Sequence, residues 1–202
     1  MHLVFDIFQA IGLAAAVGIR PFLPALAAGA LASGDVELTF HHTGYAFLQS
    51  AGFLLALVVG VIVLTFLERQ FGTGEGKSGG VLDRGPLGWL VLLAGAALAA
   101  LFFAGELSRA HAIVWPGFIG GPVCALIGAE ATGPLFARVR ARLDAAAAKA
   151  LPLYAEGAAL LLGVLSVVAP PVGPIGLAFL LWLLVGGRTR GERKYAGLRI
   201  LR

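Results

Sequence analysis

In a chain this apolar, chemistry requires charged groups at depth, and two places supply them. Gly18-Ile19-Arg20-Pro21-Phe22-Leu23-Pro24 sets a permanently charged guanidinium and two prolines inside an apolar segment running from Leu3 to about Ala32. A carboxylate sits 110 residues on, in Gly128-Ala129-Glu130-Ala131-Thr132-Gly133-Pro134. Aligning Gly18 on Gly128 puts Arg20 opposite Glu130, each followed by a proline. An arginine at membrane depth costs about 2.5–3.5 kcal/mol on insertion scales, so it is expected to face an acidic group or an anionic ligand. Two chemistries fit Arg20: a cation meeting an anionic substrate or lipid group, or a donor for backbone carbonyls freed by the prolines. Glu130 is either a titrating carboxylate of a polar site or the partner of Arg20. Glu156, near the start of the fifth apolar segment, and Glu68, closing the second, are accessory candidates.

The elements that must position these groups follow from the same residues. Proline lacks the backbone donor and crowds the preceding turn, and the residue before it is driven out of the helical region. Helix breaks are therefore expected at Gly18, Pro21 and Pro24, and again at Gly133 and Pro134. With a window of about 20 residues, six apolar segments emerge, near 3–32, 45–67, 87–106, 112–137, 151–169 and 172–187. Hydrophobic residues make up 59% of the 202 and charged residues 13%, which excludes an ordinary soluble domain. The expected fold is an all-α, six-helix transmembrane bundle forming one domain over 1–202. Its halves would be 1–107 and 112–187, with a basic tail at 188–202. Three spans per half would make the halves an inverted 3+3 repeat with interrupted first and fourth segments.

Positive residues orient such a bundle. Of the 15 Lys and Arg, all but Arg20 and Arg109 lie in 68–86, 138–150 or 188–202. Six spans with those stretches inside put both termini in the cytoplasm and the chain in the plasma (inner) membrane. The start, Met1-His2-Leu3-Val4-Phe5-Asp6, lacks a basic region, so no cleaved signal is expected. Arg193, Lys194, Arg199 and Arg202, among Tyr195, Leu198, Ile200 and Leu201, suit an amphipathic stretch on membrane lipid at the inner surface.

Other signals carry less. The fourth segment has small residues every fourth place (Gly117, Gly121, Ala125, Ala129, Gly133) and an adjacent strip (Gly120, Cys124, Gly128, Thr132). Both serve close helix packing, within the bundle or in a homo-oligomer. Gly72-Thr73-Gly74-Glu75-Gly76-Lys77-Ser78 imitates a phosphate-binding loop, but Phe71 stands where that motif needs glycine. His41 and His42 are adjacent and have no ligand cluster beside them, so no metal is expected. Cys124 is the single cysteine, which excludes an internal disulfide. No His-Glu-x-x-His or paired aspartates occur, so neither an enzyme nor a cofactor is expected, nor a nucleic-acid partner.

The Gly-Ile-Arg-Pro-Phe-Leu-Pro text after an Ala/Gly-rich helix resembles the opening of an uncharacterised prokaryotic integral membrane family. That family, a domain of unknown function, is marked by Gly-(Leu/Ile)-Arg and an apolar-proline stretch. The resemblance runs through most of the chain and matches Glu68, Asp83 and Glu156 to acidic positions of the family. This chain departs from it in the Gly-rich text after Glu68 and in Gly157, where an acidic residue is frequent. The resemblance implies matched positions and no activity. The expected function is a small inner-membrane transporter or channel-like protein with a polar site around Arg20. The alternative is a non-transporting accessory protein that packs against a partner or organises lipid.

Overall fold

The computed structural model describes residues 2–71, 85–143 and 145–196, with side chains at 3–67, 85–143, 147 and 150–186. Among the described residues the protein is all-helical: α1 (His2–Ile19), α2 (Phe22–Ser33), α3 (Ala51–Phe71), α4 (Pro86–Arg109), α5 (Trp115–Arg140), α6 (Ala145–Val168) and α7 (Val172–Ala196). A 3-10 turn, Ala46–Gln49, precedes α3. Pro86–Arg109, Trp115–Arg140 and Ala150–Val168 are long and apolar enough to cross a membrane, and four shorter apolar helices accompany them.

The first apolar segment departs from expectation. It is two helices, and the second returns beside the first. Helix α1 stops at Ile19, Arg20 N still donates to Ala16 O at 3.1 Å, and Pro21 begins the turn at φ −71°. Pro24 falls in the first turn of α2, where a helix asks nothing of the missing donor. A Cβ at Gly163 of α6 would touch Pro24 at 3.2 Å and Ala16 at 3.5 Å, so both arms pass the same point. At the open end, Arg109 bonds the Asp6 carboxylate and, at 2.9 Å, the Glu37 carbonyl.

That reversal changes the topology. Val17 lies at Gly95 and Asp6 at Arg109, so α1 and α4 are antiparallel. Ala104 lies at Gly117 and Ala99 at Gly121, so α4 and α5 are antiparallel too. Helices α1 and α5 therefore run the same way, and the inverted relation expected of the first and fourth segments is not found. The extra turn at Arg20-Pro21 adds one reversal, giving seven helices in place of six. For the same reason the start of α1, beside Gly173 of α7, and the end of α7 lie at opposite ends of the bundle. Two termini on one side, the expectation from six spans, is corrected accordingly.

The fourth segment is corrected as well. Helix α5 continues unbroken through Pro122 and Pro134, so Gly133 and Pro134 mark no break. The difference from Pro21 and Pro24 is spacing. Those two remove donors within a single turn, whereas each proline of α5 has intact turns on both sides. Thr132 Oγ1 donates to Gly128 O at 2.7 Å and Arg138 Nε to Pro134 O at 3.1 Å, engaging carbonyls around the disturbed turn.

Helix α1 is the axis of the bundle, in contact with α4, α5, α6 and α7. Its Leu13, Ala14, Ala15, Ala16 and Val17 are at most 1% exposed. Glycines permit this. A Cβ on Gly18 would overlap the Ala125 backbone, and one on Gly128 would overlap Ala15 O. Gly117 and Gly121 lie as closely on α4. Both small-residue strips of α5 are thus largely used in packing inside the chain. Overpacking costs about 1–3 kcal/mol, and we expect Gly18→Ala and Gly128→Ala to lower the detergent melting temperature. Gly157→Ala, whose Cβ meets nothing within 4 Å, should leave it unchanged or raised, because alanine favours helix by about 1 kcal/mol.

Candidate functional site

Charged groups gather at both ends of α1. At its start, Asp6 and Gln9 stand one turn apart on α1, and Glu106 and Arg109 one turn apart at the end of α4. Arg109 is the hub. Its Nη2 donates to Asp6 Oδ1 and, at 2.8 Å, to Gln9 Oε1, while Nη1 donates to Glu37 O. Gln9 Nε2 passes the chain of bonds to Val167 O at 2.7 Å, a last-turn carbonyl of α6 that lacks a helical partner. Nη2 has two hydrogens, and both are taken. Glu106 Oε2 lies 3.0 Å from Nη2 but receives no directed hydrogen bond from the described residues, and neither does Oε1. Glu106 is 0% exposed. One guanidinium therefore faces two carboxylates, so the cluster balances its charge only when one of them carries a proton.

The connection 34–50 covers this end. Leu38, Phe40 and Leu48 are buried beneath it, and Phe40 meets Phe102 edge-on at 6.1 Å. Gln49 holds the connection in shape, its Oε1 accepting from Phe40 N at 2.9 Å and its Nε2 lying 2.9 Å from His41 Nδ1. Asp35, Glu37 and His42 adopt positive φ, between 53° and 64°. The tightness of the path lets Glu37 present its carbonyl to Arg109. His41 faces Asp35 at 3.6 Å, and no group of three metal-ligating side chains occurs among the described residues.

At the other end of α1, Arg20 occupies the hairpin turn, half-buried. A Cβ on Gly95 would lie 3.3 Å from Val17 O and 3.5 Å from Pro21 Cβ, so the turn is level with Gly95. Helix α4 begins nine residues earlier, at Pro86, about 13 Å away at 1.5 Å per residue. The hairpin thus ends inside the bundle. Glu130 follows the Gly128 contact with Ala15 and Ile19 and lies ten residues, about 15 Å, from the end of α5. Glu156 lies eleven residues, about 16 Å, into α6. Both are half-buried.

Arg20, Glu130 and Glu156 are therefore brought to one level of the bundle, and neither Arg20 nor Glu130 lacks a partner. Glu68 is placed elsewhere. It follows Gly60, which packs on Phe22, by eight residues, about 12 Å nearer the end of α3. Its side chain lies outside the described residues, as do those of Arg193 and Lys194 on α7. Asp83, Arg199, Arg202 and the 72–78 loop lie outside them altogether.

Sequence reasoning missed Glu106, Asp6 and Gln9. Glu106 was the last residue of the third apolar segment and Arg109 the first charge of the next turn. The signal available was their spacing of three, which sets two side chains on one helix face. Removing one partner of a buried pair costs about 3–5 kcal/mol. Arg109→Gln should therefore cause a large loss of thermal stability in detergent, and adding Glu106→Gln should recover part of it. Additive losses in a double-mutant cycle would separate the two residues.

Comparison with protein-family models, curated proteins and solved structures finds no match to this chain.

Proposed function

We propose that the protein is a small multi-pass transporter or channel-like protein of the inner membrane, in which α1–α2 is a re-entrant hairpin with Arg20 at its tip. The observation that carries this reading is the hairpin turn lying level with Gly95, well inside the length of α4. Non-helical backbone at membrane depth is tolerated where it is buried in protein or lines a water-filled cavity, and helices interrupted there are a recurrent way of making ion and substrate sites. Arg20, with Glu130 and Glu156 at the same level, is the inner polar station of this proposal. Asp6, Glu106 and Arg109 are the outer one. Glu106, buried and without a directed donor, makes a proton or small cation the natural occupant there, and the substrate as a whole is unidentified. Membership of the uncharacterised integral membrane family marked by Gly-(Leu/Ile)-Arg belongs to the same proposal.

Orientation follows from the basic residues. Arg138 and Arg140 end α5, Arg142 follows it, and Arg188, Arg190, Arg193 and Lys194 lie in the last turns of α7, at the end of the bundle opposite Arg109. With that end cytoplasmic, the C-terminus is inside and the N-terminus outside. In a Cys124→Ala background, Ser33→Cys should react with an impermeant maleimide added to intact cells, and Leu143→Cys only after lysis. The reverse pattern contradicts the orientation.

Transport itself is tested in vesicles. The purified protein should raise flux of protons or of one of a panel of monovalent ions above empty vesicles, and Arg20→Ala and Glu106→Gln should each reduce it at least tenfold while remaining monodisperse. Unchanged flux in both variants removes these groups from any path.

A second reading has its own observation. The close glycine contacts of α1 with α5, α6 and α7 leave no room along those faces for a passing solute, which favours a non-transporting accessory role with the charged clusters as staples. Flux indistinguishable from empty vesicles across the panel supports that reading.

A further inference from the structure

A cleft of about 260 Å³ opens between α5 and α7 near the end of the bundle where the basic residues gather. Its features divide into two kinds. Arg138 in the last turn of α5 and Arg142 just past its end supply positive charge, while Val139 on α5 and Leu183 on α7 supply apolar wall. Trp182 closes one side and is 66% exposed, and Phe179, one turn before it, stacks on it with ring centroids 5.9 Å apart. Gly186 leaves the cleft open, since a Cβ there would meet nothing within 4 Å. Arg138 Nε is held on Pro134 O, which fixes its guanidinium at the rim while its Nη groups remain as donors for a ligand.

Two guanidiniums above an apolar wall, beside an exposed indole, match one kind of molecule in both halves. Phosphate suits the arginine pair, because guanidinium donors fit its oxygens in forked geometry. Acyl chains suit the wall and the aromatic face, and indoles collect at the level where headgroup meets hydrocarbon. We propose that this cleft binds an anionic glycerophospholipid, with the phosphate between Arg138 and Arg142 and an acyl chain along Val139, Leu183 and Trp182. Basic pockets between helices at the inner membrane surface are suited to such headgroups. The site is independent of transport, being on the outside of the bundle and separate from Arg20 and Arg109. It also differs from the general attraction of the basic tail, because it asks for a shape as well as a charge.

The test uses the full chain in detergent and native mass spectrometry, with phosphatidylglycerol, phosphatidylcholine or inorganic phosphate added. Phosphatidylglycerol should be retained at a concentration at least tenfold lower than phosphatidylcholine, and inorganic phosphate should not be retained. The double variant Arg138→Gln/Arg142→Gln should lose the preference by removing the charge. Gly186→Leu should lose it while keeping both charges, by filling the cleft. Equal retention of the two lipids, or retention of phosphate alone, overturns the proposal. So does an undiminished preference in both variants, which would assign the lipid to the tail. None of these readouts involves flux, so a failure here leaves the transport proposal standing, and the reverse holds too.

Discussion

The rest of the architecture depends on how closely backbone can approach backbone around α1. A helix surrounded on four sides has no face left for polar side chains, and its middle is accordingly alanine, glycine, leucine and valine. Gly18 meets Ala125 and Gly128 meets Ala15, so the crossing of α1 and α5 repeats itself when residues are shifted by 110. Close packing of this kind substitutes dispersion contact for the hydrophobic drive that lipid does not supply. Its corollary is that the polar side chains of the first segment sit only at the ends of α1: Asp6 and Gln9 at the start, Arg20 after the last turn.

The two ends are balanced differently. At the Arg109 end most donors have a destination, and the connection 34–50 lies over the cluster, leaving the Arg109 and Asp6 side chains partly exposed. Among the described residues the exceptions are Arg109 Nε, a buried donor without an acceptor, and Glu106, an acceptor-only side chain when ionised, with no exposure and no directed donor. Burying such a group in its ionised form is costly, and a proton on Glu106 removes that cost. At the other end the turn at Arg20 interrupts helical bonding below the ends of α4, α5 and α6. One end is a partly covered ionic knot and the other a break in the helical backbone, joined by an apolar rod.

Part of this was legible in the chain. The helices, the interruption after Gly18 and the concentration of basic residues at one end all follow from apolar length, proline and charge. The reversal at Pro21 did not, because a kink and a hairpin have the same local text. What distinguishes them is Arg109 reaching both Asp6 and the Glu37 carbonyl, a relation between residues about 70 to 100 positions apart. The same limitation misplaced the break at Pro134. A lone proline in an apolar helix can be absorbed by its neighbours, and only the packed structure reveals that it is. Arg20 and Glu130 were singled out as charges in oil and Glu156 only as an accessory near the start of its segment, and counting along the helices sets them near one level. Glu106 escaped notice because a carboxylate at the rim of an apolar segment looks solvated until the loop above it is known.

The central claim is that the first apolar segment enters and leaves at the same end. The distance between nitroxide labels on Phe5→Cys and Val36→Cys, in a Cys124→Ala background, measures this directly by pulsed electron resonance. Both sites are exposed and flank residues tied to Arg109. A hairpin predicts a separation below about 25 Å, allowing for the label arms. A segment that continued straight through as one helix would hold them about 45 Å apart at 1.5 Å per residue, and a distance in that range would contradict the account.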